Sequence, residues 1–425
     1  MRDKRRARLL EWGKNLLILL LAVGLVWQLA RTWAPGPFRD LLPDRASGLS
    51  DPAQVRVSGA ARPVRLAVCQ DGQRYGAQYD AAETDTAFAA LATLLSEALG
   101  SAGDPAAISE RVWRNALTGT GIYLDFLYPI PLSALSAWLG EGQSDLSLTD
   151  AARRVCLAAA EDGGVSLLYI NEADGLYYAC PTTLSRTVHL DAAVAGYSPN
   201  GALFAFEVPG MEALAPYTLL TGAPQPAVYA AANPLLEDAA RTGTLLSALN
   251  FPNQDAAPDP AAGGQIVEGN DSLRLSRDGV VVFHAIGGAD ARFAVPENGT
   301  QAALNYTQAL AEATAGAWCG DARLCLSGVT ETADGLEIVF QYVLNGSPVA
   351  LPEERAAARF VVRDGSVTDL TLCLRTYADT GETSPVLPEF QAAAAMEARN
   401  ARGKELTLLY QDTGGELVSA GWVAM

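Results

Sequence analysis

The chain has 425 residues, of which 49% are apolar and 18% charged, with a formal net charge of −18. That length and apolar content exclude a disordered stalk and allow two or three domains with proper cores. The excess of acid excludes nucleic acid, teichoic acids and anionic headgroups as partners of most of the surface, because like charges repel.

Positive charge is concentrated at the start. Arg2, Lys4, Arg5, Arg6, Arg8 and Lys14 precede an apolar run from Leu16 to Ala30, broken by Gly24 and Gln28 and flanked by Trp12, Trp27 and Trp33. The first 31 residues hold seven Lys/Arg against two Asp/Glu, a net of +5, so the rest carries −23. Residues 1–14 read as a cytoplasmic basic segment and 15–33 as a transmembrane helix, at the lower end of the length that crosses a bilayer. No small-x-small cleavage site follows: Gln28 occupies the −3 position relative to Ala30, and Pro35 follows Ala34. This favours an uncleaved anchor over a cleaved signal peptide. The expected location is the cell membrane, single-pass, with the remaining chain extracytoplasmic. Ala22 and Ala30 allow close helix approach, and the Gln28 amide favours a protein neighbour over lipid. Ala22, Val26, Gln28 and Ala30 are therefore the predicted partner contact within the membrane.

Residues 34–62 are rich in Pro, Gly, Ser, Asp and Arg without a sustained period and read as a tether. Residues 63–190 read as an N-terminal α+β domain. It opens with a hairpin at 64–80. A helix follows, capped by Thr84 or Asp85, with Phe88, Leu91, Leu95 and Leu99 on one face and Gly100 at its end. A shorter helix is expected from Ile108 to Leu117. Residues 191–265, rich in Ala, Pro and Asn, read as a connecting region with little sheet. Residues 266–425 read as a C-terminal α+β domain of hairpins at 273–285, 323–344, 358–374 and 405–424, with helices at 300–318 and 388–402. The mechanism behind the hairpins is local. Asp71-Gly72, Asn345-Gly346, Asp364-Gly365 and similar pairs supply the positive φ values of a two-residue type I′ turn. The expected class is thus α+β: one membrane helix, then a bilobed ectodomain of antiparallel sheets with helices packed on them.

The chain offers little reactive chemistry. Its histidines are His189 and His284, the latter in the strand VVVFHA, where a half-buried structural role is expected. It lacks H-E-x-x-H, C-x-x-C and G-x-S-x-G, the last approached by Gly142-Gln-Ser144 without the second glycine. Lys404 is the one lysine beyond the N-terminal segment and follows a predicted helix end. Glu237-Asp238 and Glu353-Glu354 read as solvated acids. The oxygen ligands of Asn253, Asp255, Asp259, Asn270 and Asp271 do not follow EF-hand spacing. No catalytic, cofactor-binding or metal-ligating residue is assigned, and the protein is expected not to be an enzyme.

Six cysteines, Cys69, Cys156, Cys180, Cys319, Cys325 and Cys373, permit 15 complete pairings. Cys319 and Cys325 bracket a short loop and form the first candidate pair, with small buried thiols as the competing reading. Sequons at Asn270, Asn298, Asn305 and Asn345 carry little weight, since frequent alanine and scarce lysine suggest GC-rich bacterial codons.

Three stretches resemble the YycH/YycI regulatory proteins, which accompany the essential cell-wall two-component system of Gram-positive bacteria. GIYLDFLYPIPLSAL (Gly121 to Leu135) looks like their strand-to-helix passage. LLSALNFPNQD through SLRLSRDGVVVFHA (Leu245 to Ala285) looks like the entry to their second domain. ELTLLYQDTGGELVSAGWVAM (Glu405 to Met425) looks like their terminal hairpin. The resemblance implies a non-enzymatic regulator whose helix and ectodomain modulate a cell-envelope sensor histidine kinase, with that kinase and a paralogous regulatory protein as partners. It implies no cofactor and no catalytic residue. The alternative is a tethered extracellular binding module for a cell-wall fragment, a peptide or an envelope protein.

Overall fold

The computed structural model describes residues 59–140, 150–238, 240–251, 258–285, 291–333, 335–398 and 403–425. The predicted membrane helix, with Ala22, Val26, Gln28 and Ala30, lies outside them, as does the tether up to residue 58. No helix among the described residues is long and apolar enough to cross a membrane.

The first half forms β1 (Arg65–Gln70), β2 (Gln73–Gln78), α1 (Ala81–Ala89), α2 (Ala92–Gly100), β3 (Ala106–Ile108), α3 (Glu110–Thr118), β4 (Gly121–Pro131), α4 (Leu132–Trp138), β5 (Ala151–Ala159), β6 (Gly164–Asn171) and β7 (Tyr177–Ser185). The strands make a seven-stranded antiparallel sheet in the order β2-β1-β4-β5-β6-β7-β3. Alternation divides its residues between two covered faces. Leu66, Val68, Ile122, Leu124, Val155 and Leu157 meet Phe88, Leu95 and Leu99 of α1 and α2. On the other face Ala67, Tyr123 and Cys156 meet Trp113 and Leu117 of α3.

The middle of the chain first packs Leu190 and Val194 against the first face and then lays Ala202, Phe204, Tyr217 and Leu219 over the second. It holds α5 (Asp191–Val194), the small pair β8 (Leu203–Phe204) and β9 (Leu219–Leu220), then β10 (Ala227–Ala232), α6 (Pro234–Glu237) and α7 (Ala240–Ala248). The remainder forms β11 (Gly264–Glu268), β12 (Asp271–Leu275), β13 (Val280–Ala285), α8 (Thr300–Ala313), β14 (Arg323–Thr332), β15 (Gly335–Leu344), β16 (Ser347–Ala350), β17 (Ala358–Arg363), β18 (Ser366–Cys373), β19 (Thr376–Thr383), α9 (Glu389–Ala398), β20 (Leu406–Gln411) and β21 (Leu417–Ala424). With β10 these strands build a twelve-stranded sheet, β11-β12-β13-β18-β17-β15-β16-β20-β21-β10-β19, with β14 beside β15. Its pairings are antiparallel except the short parallel contact of β16 with β20. The class is α+β with antiparallel sheets and helices.

Three of the Asp-Gly and Asn-Gly signals act as expected, with both residues of Asp71-Gly72, Asn345-Gly346 and Asp364-Gly365 at positive φ; at Asp162-Gly163, Asp174-Gly175 and Asp278-Gly279 only the glycine is, so these turns are not type I′. Three local expectations need correction. The helix predicted from Thr84 or Asp85 begins at Ala81, because the Asp80 carboxylate accepts the Glu83 amide at 2.9 Å. Asp85 is spent elsewhere, on Arg62 at 2.7 Å and Arg323 at 2.9 Å. The helix expected from Ile108 starts after Ser109, and Ile108 ends β3 instead. His284 is not half-buried: its side chain is 59% exposed on the outer face of the second sheet.

One contiguous apolar cluster runs from Leu66 and Phe88 through Leu304 of α8 to Phe340 and Phe360. Polar contacts cross the same junction. The Trp138 indole donates to Asn305 Oδ1 at 2.9 Å, and Arg323 donates to the Pro63 carbonyl at 3.0 Å. The β15–β16 turn presses on β1, where a Cβ at Gly346 would stand 2.8 Å from the Val64 carbonyl oxygen.

A candidate functional seam between the two sheets

Charged residues inside apolar strands define the site. β1, β4 and β5 read RLAVCQ, GIYLDFLYPIP and AARRVCLAA, so Arg65, Asp125, Arg153 and Arg154 interrupt runs that otherwise bury. Register brings them together: Arg65 lies opposite Asp125, and Asp125 opposite Arg154. A break in the β4–β5 register follows Asp125, and another in β5–β6 falls between Ala152 and Val155. These irregularities let Arg153 join the same cluster as its neighbour Arg154, which strict alternation would forbid. The open end of this face is closed by Glu405, the residue before β20, and by Thr407 within it.

The geometry is dense. Arg153 grips Asp125 with two bonds, Nε to Oδ1 at 2.7 Å and Nη2 to Oδ2 at 2.8 Å. Its Nη2 also donates to Glu405 Oε1 at 2.7 Å, and Arg154 Nη2 donates to Glu405 Oε2 at 2.6 Å. Arg65 donates to Glu405 and, through Nη2, to Thr407 Oγ1 at 2.6 Å. Arg65, Asp125 and Glu405 are 2%, 1% and 5% exposed, so the cluster is shielded from water. Burial alone would raise the carboxyl pKa values. The guanidiniums outweigh it, with Arg153 and Arg65 holding Asp125 well below its ordinary range, and Arg65 and Arg153 lowering Glu405. Both carboxyls are therefore ionised, and three cations enclose two anions.

A third buried carboxyl stands beside the seam. Glu389 begins α9, is 1% exposed, and accepts from the Thr221 amide at 2.7 Å, the Gly222 amide at 2.6 Å and Gln78 Nε2 at 2.8 Å. Desolvation pushes it up to about 7, against the pull of those amides and of Arg65. A third network lies within the second sheet, where Arg375 holds Asp412 at 2.7 and 2.9 Å and Tyr377 donates to Asp412 at 2.9 Å.

These groups pair, tie and orient; none is arranged as an attacking group beside a base. All six cysteines are free and buried. Burial raises the Cys180 and Cys373 thiols to about 11, where little thiolate exists at neutral pH. The candidate Cys319–Cys325 disulfide is not formed; Cys319 Sγ instead donates to the Ala322 carbonyl at 2.9 Å. Ser272, His284 and Asp369 do line up across β12, β13 and β18, with His284 Nδ1 2.6 Å from Asp369 Oδ1. The Ser272 hydroxyl, however, donates to the His284 carbonyl at 3.3 Å and not to the ring. Such a row lacks the nucleophile–base bond that activates a serine. Asp271, a candidate calcium ligand, is paired with Arg292 at 2.7 Å, and no cluster of metal-ligating side chains occurs among the described residues.

The predicted contact residues of the membrane segment thus fall outside the described residues, while the seam was not anticipated. Its signal was available as charge inside apolar strands, which buried positions tolerate only with a partner.

No family profile matches the chain, and no curated protein matches it. Among solved structures, the crystal structure of YycH from Bacillus subtilis is similar, with a TM-score of 0.53 and 12% sequence identity. The likeness covers 87% of this chain and 94% of that one. At that identity it establishes the fold, and the chain has a YycH-like fold. The strand-to-helix passage expected at Gly121 to Leu135 is present as β4 running into α4.

Proposed function

We propose that this protein is a membrane-anchored extracytoplasmic regulator that modulates a cell-envelope sensor histidine kinase. The observation that carries the reading is the YycH-like fold over 87% of the chain. The basic segment and apolar run at residues 1–33 support an anchor with the N-terminus in the cytoplasm and the seam outside. In this reading the partners are the kinase and a paralogous regulatory protein, the function is non-enzymatic, and the kinase contact includes Ala22, Val26, Gln28 and Ala30. Regulation then rests on differential affinity. If the protein binds one signalling state of the kinase more tightly, a few kcal/mol of difference inverts the kinase population. The seam gives the ectodomain a means to change that preference, since Glu405 joins the last hairpin to the first sheet.

In-cell photo-crosslinking from probes at Leu19, Ala22 and Val26 tests the proposal. Capture of a sensor histidine kinase, reduced when Ala22 and Ala30 are both replaced by Ile, is the expected outcome. Correct membrane insertion without kinase capture would overturn it. Exchange of residues 15–33 for an unrelated membrane helix separates the alternative: a tethered binding module keeps its function after the exchange, and the proposed regulator loses it.

A further inference from the structure

An open groove runs between α1, Tyr75 of β2 and the segment from α5 to Ser198. It encloses about 820 Å³, within the range of about 300–1000 Å³ usual for small-ligand sites. Its walls are small: Ala82, Ala87 and Ala90 from the first helical segment, and Ala192, Ala193 and Gly196 from α5 and the turn after it. Tyr75 and Tyr197 also line it, with ring centroids 5.3 Å apart and planes tilted by 44°. Both rings pack against the core cluster. Both hydroxyls are tied off as well, Tyr75 donating to Glu83 Oε1 at 2.8 Å and Tyr197 to the Ala87 carbonyl at 2.6 Å. The rings are thereby held in place before any ligand arrives, which removes an ordering cost from binding. Glu83, Thr86 and Ser198 complete the lining with polar atoms.

We infer that this groove is a saccharide-binding site that takes a neutral pyranose oligomer. A pyranose ring has one face of C–H groups and a rim of hydroxyls. The C–H face suits the negative face of a tyrosine ring, and the hydroxyls suit a carboxylate and side-chain hydroxyls at the edge. Alanine and glycine walls let a ring settle on the tyrosines without a steric block. Glu83, Thr86 and Ser198 stand exposed at the edge of the groove, where sugar hydroxyls can reach their oxygens and an apolar peptide side chain makes no use of them. Anionic polymers are disfavoured by Glu83 and by the −23 borne by the chain beyond residue 31. The inference does not depend on the kinase reading.

The test is equilibrium binding of tetra-N-acetylchitotetraose, a neutral pyranose oligomer, to the full chain in a detergent without a sugar headgroup. Gly196→Trp is the decisive variant: Gly196 is exposed, and a Cβ there meets no atom within 4 Å. An indole at that position fills the groove while leaving the core untouched. Saturable one-to-one binding, weakened about tenfold or more by G196W at unchanged thermal stability, is expected. Absence of saturable binding by the unaltered protein, or equal binding by G196W, overturns the inference. Neither result bears on kinase capture by the membrane probes.

Discussion

Replacing Glu405 should loosen the junction between the two sheets more than any comparable surface change. The side chain is 5% exposed and accepts from Arg65, Arg153 and Arg154. In Glu405→Ala, three guanidiniums are left around the single carboxylate of Asp125. Removing one partner of a buried ionic group costs about 3–5 kcal/mol, because the one remaining carboxylate cannot balance the three cations in a site largely closed to water. Glu405→Gln keeps the shape and one acceptor oxygen, so its cost should be nearer that of a charged hydrogen bond, about 1.5–3 kcal/mol. Hydrogen exchange read at the amides of Leu406–Gln411, together with urea unfolding, distinguishes the two. Exchange in this strand should accelerate in both variants, more in Ala than in Gln. Adding Arg154→Met to Glu405→Ala should recover part of the loss, since one unpaired cation is removed. If both single variants stay within about 0.5 kcal/mol of the parent, the seam does not hold the hairpin.

The buried carboxyls also make stability depend on pH, in opposite directions. Glu389 has its folded pKa raised from 4.5 to about 7, so its stabilising contribution is complete below about 4.5 and is lost as pH rises to about 7. That shift corresponds to about 3 kcal/mol, and Glu389→Gln should abolish the slope between pH 5 and 7 in unfolding titrations. An unchanged slope in that variant would refute the assignment. Asp125 and Glu405 are depressed, so their contribution is present above the ordinary carboxylate range and is lost as pH falls through their folded values. The six buried free cysteines should resist a thiol reagent in the native protein and all react after denaturation, with the same electrophoretic mobility with and without reductant. Fewer than six reactive thiols in unreduced, denatured protein would indicate a disulfide.

What the sequence made legible was local. The Asp-Gly and Asn-Gly turns, the buried stripe of Phe88, Leu91, Leu95 and Leu99, and the terminal hairpin each follow from a few neighbouring residues and are found where expected, although two helices broken at Ala90–Leu91 carry the stripe and not the single helix expected. Long-range pairing was not legible. Ala227–Ala232 sits among alanines and prolines that suggested little sheet, yet it joins β19 and β21, strands about 150 and 190 residues away. The seam failed to show for a related reason. Arg65 and Glu405 are 340 positions apart, and only the closed fold makes their burial tolerable. The helix cap was missed on a finer scale, where Asp80 and Asp85 compete for the same role and tertiary ion pairs claim the second.

Three consecutive residues at the end of β2 show how the junction is held. Gln78 donates to Glu389 at the start of α9, and Asp80 caps α1. Between them the Tyr79 ring lies 5.9 Å from the Arg65 guanidinium and edge-on to Trp422 of β21 at 5.7 Å. To reach all three partners the chain turns sharply, and Tyr79 takes φ 60°, a left-handed value that costs a non-glycine residue about 1–2 kcal/mol. That strain makes a sign test possible. At an ordinary strand position glycine is worse than alanine by about 0.5–1 kcal/mol. At residue 79 the order should invert: Tyr79→Gly and Tyr79→Ala lose the same ring contacts, but only alanine keeps the strained Cβ. Urea unfolding should find the glycine variant the more stable of the two. The reverse order would mean that the left-handed turn does not survive loss of the ring, and that the contacts with Arg65 and Trp422 hold the backbone in this conformation.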